Sequence, residues 1–163
     1  MIRETSPDKI RGKLVKYRLG DCLTIQQDDK YVGAIMTGKF NKYYNLTFMD
    51  FMTTTKPTHA DFVNGRLFGT RFGSWEELKY GVDQRMVQCK YVDSELKIEK
   101  AGTINLIGDF VSAGYAYLDN IAEIFNYYHQ EINVRIEKSK DAEKFPAIAF
   151  VGRHLIETTK ITQ

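Results

Sequence analysis

The sequence predicts an α+β fold: a curved antiparallel sheet or partial β-barrel with one principal C-terminal helix packed on it, in a single domain over residues 1–163. Three observations carry this. Runs of alternating apolar and polar residues follow one another from residue 22 onward, separated by turns rich in Gly, Asn and Asp, and strands joined by short turns are antiparallel neighbours. A stripe of apolar residues at helical spacing comes late, made of Leu118, Ile121, Ile124, Phe125, Tyr128 and Ile132. The composition, 43% hydrophobic and 27% charged with three prolines in 163 residues, supplies enough apolar surface to offset the ordering entropy of one ordinary domain.

The elements follow in order. Residues 1–12 form a lead-in, with Ser6-Pro7-Asp8 able to start a helical turn. A Gly20-Asp21 turn introduces a first strand over 22–27, where Leu23 and Ile25 share a face. Asp28-Asp29 turns the chain tightly. Residues 30–37 return as a second strand with Tyr31, Gly33 and Ile35 on one face and Val32, Ala34 and Met36 on the other, the pattern of a central strand. Residues 38–42 read as a loop, 44–51 as a third strand, and 52–59, with its threonines and Lys56-Pro57, as a polar connection.

Asn64-Gly65 separates Asp61-Phe62-Val63 from Arg66-Leu67-Phe68 and predicts a hairpin turn. Gly65, Gly69 and Gly73 recur every four residues. They lack the Lys-Ser/Thr ending of a phosphate loop, so they read as bulges or bends in a strand. Ser74 with Glu77 fits the capping box of a short helix ended by Gly81. Residues 82–92 read as a long strand with Val87, Cys89 and Tyr91 facing one way, and 103–107 as a short one. The principal helix spans 118–134, with Asn120 and Glu123 fitting a cap. The alternation of Ile132, Val134 and Ile136 leaves a switch to strand open at its end. Residues 137–144 then form a solvated connection, and 147–151 a final buried strand. The sheet is thus expected from residues 13–107, with the helix over it.

No constellation of residues carries catalysis or metal binding. His59, His129 and His154 lie far apart, and none is spaced to share a helix face as ligands. Ser74 has a capping role. Ser112 falls in a turn, and neither serine sits in a nucleophile elbow. Glu76-Glu77 and Asp28-Asp29 are explained by a helix start and a turn. Cys22 and Cys89 sit in apolar runs without a CxxC pair and read as reduced, core-like thiols, which points to the cytoplasm. The N-terminus shows no signal-peptide pattern, and no apolar run reaches the ~18 residues of a membrane span. The expectation is a protein that is not an enzyme, with no catalytic residue, no metal, no cofactor and no membrane partner.

A net charge of +2 with both signs interspersed also argues against a nucleic-acid partner. The exception is the N-terminus, where Arg3, Lys9, Arg11, Lys13, Lys16 and Arg18 face only Glu4 and Asp8. That stretch is either a solvated edge or a docking patch for an acidic partner. Two groups of loop residues combine large apolar area with a polar handle, as interface anchors do. One is Phe40, Lys42, Tyr43 and Tyr44, and the other is Arg71, Phe72 and Trp75. These are the candidate partner-binding residues, against the plainer reading that half of them are core and that Trp75 packs behind its helix cap.

The stretch Tyr17-Arg18-Leu19-Gly20-Asp21-Cys22-Leu23-Thr24-Ile25, followed by Asp29-Lys30-Tyr31-Val32-Gly33-Ala34-Ile35, resembles the opening of the immunity protein 26 family. That opening runs through a Gly-Asp turn, a short apolar strand, a polar turn and a second strand carrying a glycine. Gln88-Cys89-Lys90-Tyr91-Val92-Asp93 and Ile98-Glu99-Lys100-Ala101-Gly102 are a second, weaker match. The resemblance implies a cytoplasmic antitoxin that neutralises a cognate bacterial protein toxin by direct binding and occlusion, through an interface of about 1,600 Å². With a slightly basic chain, it implies a non-nuclease toxin or binding away from the catalytic cleft. Two other classes stay open: a nucleic-acid-associated β-rich module using the basic N-terminus and Tyr-rich strands as stacking platforms, and a small enzyme with a dispersed site.

Overall fold

The structure is a computed structural model that describes residues 9–10, 13–14, 16–72, 79–108, 111–144 and 152–163. Strands β1 (Lys9–Ile10) and β2 (Lys13–Leu14) pair with each other as a small antiparallel ribbon. The chain then runs through β3 (Asp21–Gln27), β4 (Lys30–Phe40), β5 (Tyr43–Thr53), α1 (His59–Val63), β6 (Arg66–Phe72) and β7 (Lys79–Gln88). It continues through α2 (Cys89–Ser94), β8 (Ile98–Thr103), β9 (Val111–Tyr117), α3 (Ile121–Lys144), β10 (Gly152–Glu157) and a 3-10 turn, Thr158–Lys160.

The main sheet has the order β10-β6-β7-β5-β4-β3-β8, and β9 joins it parallel to β7. It is a curled, mostly antiparallel half-barrel with one main helix, the α+β architecture the sequence predicts. Its curl has a definite origin. Strand β7 pairs with β9 along 81–86, while its first residues pair with β6 and its last with β5. Both β5 and β6 therefore share the other edge of β7, and the ladder between them is the single pair Met49 opposite Leu67. Register shifts in β4 between Val32 and Ala34, and again between Met36 and Gly38, add the extra local twist that bulges bring. Gly33 sits at the first shift because a Cβ there would meet the Phe51 ring at 2.5 Å and the Phe62 ring at 2.8 Å.

Because strand side chains alternate, the same strands feed two cores. One face carries Leu23, Ile25, Val32, Met36, Phe48 and Phe68, and Ile124, Phe125 and Tyr128 of α3 pack on it. Leu118, Ile121 and Ile132 join the same cluster, so the helical stripe read from the sequence is the buried one. Phe68 stacks on Tyr128 with centroids 5.8 Å apart and planes at 13°. The opposite face buries Cys22, Ile35, Met49, Phe62, Leu67, Val82 and Ile156.

Six expectations are corrected. Asn64-Gly65 is not a hairpin turn. Residues 59–63 form a helical turn capped at Thr58, whose N–H donates to Asp61 Oδ2 at 2.8 Å, and the Asn64 N–H closes it on the Ala60 carbonyl at 3.0 Å. The strand over 82–92 starts earlier and ends at Gln88. There its partner β5 begins at Tyr43, the ladder has no further residues to pair, and the chain winds into α2. The strand expected at 103–107 lies earlier, as β8, leaving Leu106 in an isolated bridge to Thr162. Residues 111–117, including Ser112, form a strand and not a turn. Helix α3 runs on to Lys144, so 132–136 do not switch to strand and 137–144 are not a connection. The final strand is β10, so the sheet extends past residue 107; the strand expected at 147–151 and the cap at Ser74 lie outside the described residues. Gly69 marks a close approach, since a Cβ there would meet Ile156 Cδ1 at 2.1 Å and the Gly81 carbonyl oxygen at 2.6 Å.

Candidate functional site

The β4–β5 hairpin turns through Asn41 and Lys42, with Asn41 at φ +53°, a left-handed conformation that Asn tolerates. Cross-strand partners share a face, so Phe40 and Tyr43 stand side by side. Tyr43 is also opposite Gln88, and two residues along β7 Met86 is opposite Tyr117 of β9. That register brings the Tyr43 and Tyr117 rings edge to face, with centroids 5.1 Å apart. Phe40 is 62% exposed and Tyr117 59% exposed. Lys39 and Lys42 are exposed at the same tip. The result is an aromatic edge beside the Lys42 ammonium, held on paired strands, while Lys39, opposite Tyr44, belongs to the other face.

Behind this edge, on the same face, lies a polar row. The Ser112 hydroxyl donates to Gln84 Oε1 at 2.7 Å, and Gln84 Nε2 donates to the Thr37 carbonyl and hydroxyl, both at 3.1 Å. Thr37 in turn shares a 2.7 Å hydrogen bond with Thr47. These bonds fix the Gln84 amide in one orientation. Thr37 also lines a cleft of about 310 Å³ with Leu19, Ile104 and Leu106, and Leu19 is 58% exposed there. The face thus reads as an aromatic tip, a polar middle and an apolar cleft, the mixture found where proteins meet proteins.

Of the residues proposed from sequence, Phe40, Lys42 and Tyr43 come together at this tip. Tyr44 points to the other face and is fully buried. Its hydroxyl donates to Asp93 Oδ1 at 2.6 Å and accepts the Tyr17 N–H at 3.2 Å. Burial, reinforced by the Asp93 hydrogen bond, pushes its phenol well above the ordinary range. Tyr44 therefore supports the hairpin from within the core. Arg71 lies opposite Tyr80, eight residues along β7 from the Gln88 level of Tyr43, or roughly 26 Å at strand rise. The two groups do not form one surface. Trp75 and the Phe72 side chain lie outside the described residues. Tyr117 and Gln84 were missed. Only the β7–β9 register, a parallel pairing between distant segments, brings Tyr117 to Tyr43.

The other chemistry-bearing groups are placed as follows. Burial pushes the Cys22 thiol up to about 12, with Asp21 adding to it, and the Cys89 thiol up to about 11. Both are protonated near neutrality and behave as small hydrophobes. His59 Nε2 lies 2.9 Å from the Thr103 carbonyl oxygen, His129 packs by Phe125, and His154 is buried in β10. Among the described residues no group of three or more His, Cys, Asp or Glu side chains is placed to hold a metal. No helix among them is long and apolar enough to cross a membrane. Compared with family models, curated proteins and solved structures, the chain has no match in any of the three.

Proposed function

We propose that this chain is an immunity protein that neutralises a cognate bacterial protein toxin by covering it, with the Phe40–Tyr43–Tyr117 edge as its docking centre. The observation that carries the reading is that edge itself: the exposed Phe40 and Tyr117 rings beside half-buried Tyr43 on paired strands, next to Lys42. Tyrosine and phenylalanine give large contact area with few rotatable bonds, so little entropy is lost on docking. Lys42 favours an acidic group on the partner surface. The resemblance of residues 17–35 to the opening of the immunity protein 26 family supplies the class of partner.

The test is co-expression with the open reading frame beside this gene, followed by titration calorimetry of the purified pair. The neighbour is expected to be lethal alone and harmless with this protein. Phe40→Ala, Tyr43→Ala and Tyr117→Ala are each expected to weaken binding by about 2 kcal/mol, roughly thirtyfold, with unchanged melting temperatures. A neighbour that is harmless by itself, or variants that bind as tightly as the parent, would refute the reading. Tyr44→Phe is the contrast: it removes a buried hydrogen bond and should lower stability by about 1–3 kcal/mol.

A further inference from the structure

A second cleft, of about 300 Å³, opens at the far end of the sheet, where β10 forms its edge. The registers put Arg71 and Tyr80 opposite each other, and His154 opposite Gly69, two residues before Arg71. These side chains therefore share one face, and all three residues with side chains line the cleft. Lys160 reaches over the Tyr80 ring at 5.8 Å. Ser139 of α3 closes the cleft from the helix side.

Arg71 is only 9% exposed, and its Nε has no hydrogen-bond partner. Among the described residues no carboxylate lies within ion-pair distance of its guanidinium. The Nε atoms of Arg85 and Arg135 are likewise unpartnered, but their guanidinium groups are engaged elsewhere: Arg135 by Asp83 and Glu131, and Arg85 by the Gln84 carbonyl and the Tyr127 ring. Arg66 at the cleft pairs with Asp50 at 3.1 Å. A buried cation without a counter-charge is costly, so the arrangement has room and charge for an anion that completes it. Glu157 is the acid on the cleft wall, and it is exposed.

We propose that this cleft is an oxyanion site that takes the phosphoryl group of a small phosphorylated molecule. The donors come from several directions, which suits a tetrahedral anion better than a planar carboxylate. The Arg71 fork supplies paired N–H groups, and Lys160 a mobile ammonium. The Ser139 oxygen already accepts the Leu155 N–H at 3.0 Å, which leaves its own proton to donate. Tyr80, 40% exposed, offers a ring face at the rim for the organic part of the ligand. The cavity volume is at the lower end of small-ligand sites.

Thermal unfolding of the full chain in rising inorganic phosphate, against chloride and acetate at equal ionic strength, tests this. Phosphate should raise the melting temperature saturably and more than acetate does. Arg71→Met should abolish the phosphate-specific rise, and Arg71→Lys should weaken apparent affinity by about tenfold because the fork is lost. In phosphate-free buffer Arg71→Met should melt at or above the parent, since it removes a buried charge with no counter-charge among the described residues. Equal melting of the parent in phosphate and chloride would overturn the proposal. So would an undiminished rise in Arg71→Met, equal protection by acetate, or a fold lost with Arg71→Met in phosphate-free buffer. The site stands apart from the toxin interface: Phe40→Ala and Tyr43→Ala should leave the phosphate response intact.

Discussion

At the scale of single residues, burial decides what the titratable side chains do. The unfolded thiols ionise near 9.0, whereas in the fold Cys89 waits until about 11 and Cys22 until about 12. The native state therefore holds protons that the unfolded chain releases above pH 9. The stability this represents is complete below pH 9 and is lost as pH rises toward 11–12, at about 1.4 kcal/mol per pH unit for each thiol. Urea unfolding at pH 8, 9 and 10 should show this fall. The Cys22→Ala/Cys89→Ala double variant, weaker at every pH, should show a shallower one; equal slopes would place the effect elsewhere. The same burial removes Tyr44 from the exposed surface while its neighbour Tyr43 stays at it. The sequence puts Tyr43 and Tyr44 in one loop group of interface candidates, and the packing of Tyr17 and Asp93 around Tyr44 shows that it belongs to the core.

At the scale of elements, what could be read from the sequence was what local chemistry fixes. The β3 and β4 strands and their turn follow from alternation and from Asp28, which takes φ +55° at the bend. The start of α3 follows from its cap: the Glu123 N–H donates to Asn120 Oδ1 at 3.0 Å, and the Glu123 carboxylate accepts the Asp119 N–H. Asn120→Ala should cost about 1 kcal/mol, read by chemical denaturation, and a loss near zero would show the cap to be redundant with tertiary packing. The end of α3 was hidden for a physical reason. Past Tyr128 its inward row continues as Glu131, Arg135 and Ser139, buried polar residues four apart. An apolar stripe cannot reveal a helix face whose partner is a hydrogen-bonded network. The turn of α1 was misread because Asn-Gly is a strong hairpin signal, yet the Thr58–Asp61 cap nearby won. Strand β9 escaped because its partner is β7, reached through α2 and β8, and parallel pairing leaves no turn to read.

At the scale of the whole molecule, Arg135 joins the helix to the sheet. It is fully buried, and its guanidinium lies 4.4 Å from the centre of the Phe68 ring. It donates to the Gly69 carbonyl of β6 at 2.7 Å, the His154 carbonyl of β10 at 3.3 Å and Asp83 Oδ2 of β7 at 2.5 Å. One side chain of α3 thus holds three adjacent strands in the order β10-β6-β7, next to the corner where the sheet curls. Asp83 has a second donor in Thr70 at 2.8 Å, and Glu131 is also held by Arg153 at 2.6 Å. Removing the guanidinium leaves the Asp83 charge buried with one hydroxyl to serve it. Arg135→Met, which keeps much of the side-chain volume, should therefore destabilise the fold by about 3–5 kcal/mol in chemical denaturation. Asp83→Asn should be costly in the parent, because Arg135 loses one of its two counter-charges, but should recover stability when added to Arg135→Met, because the stranded charge goes. A double-mutant cycle over these variants would give a coupling of about 1 kcal/mol or more if the pair ties helix to sheet. Additive losses would mean that the apolar face of α3, through Ile124, Phe125 and Tyr128, holds the two layers together by itself.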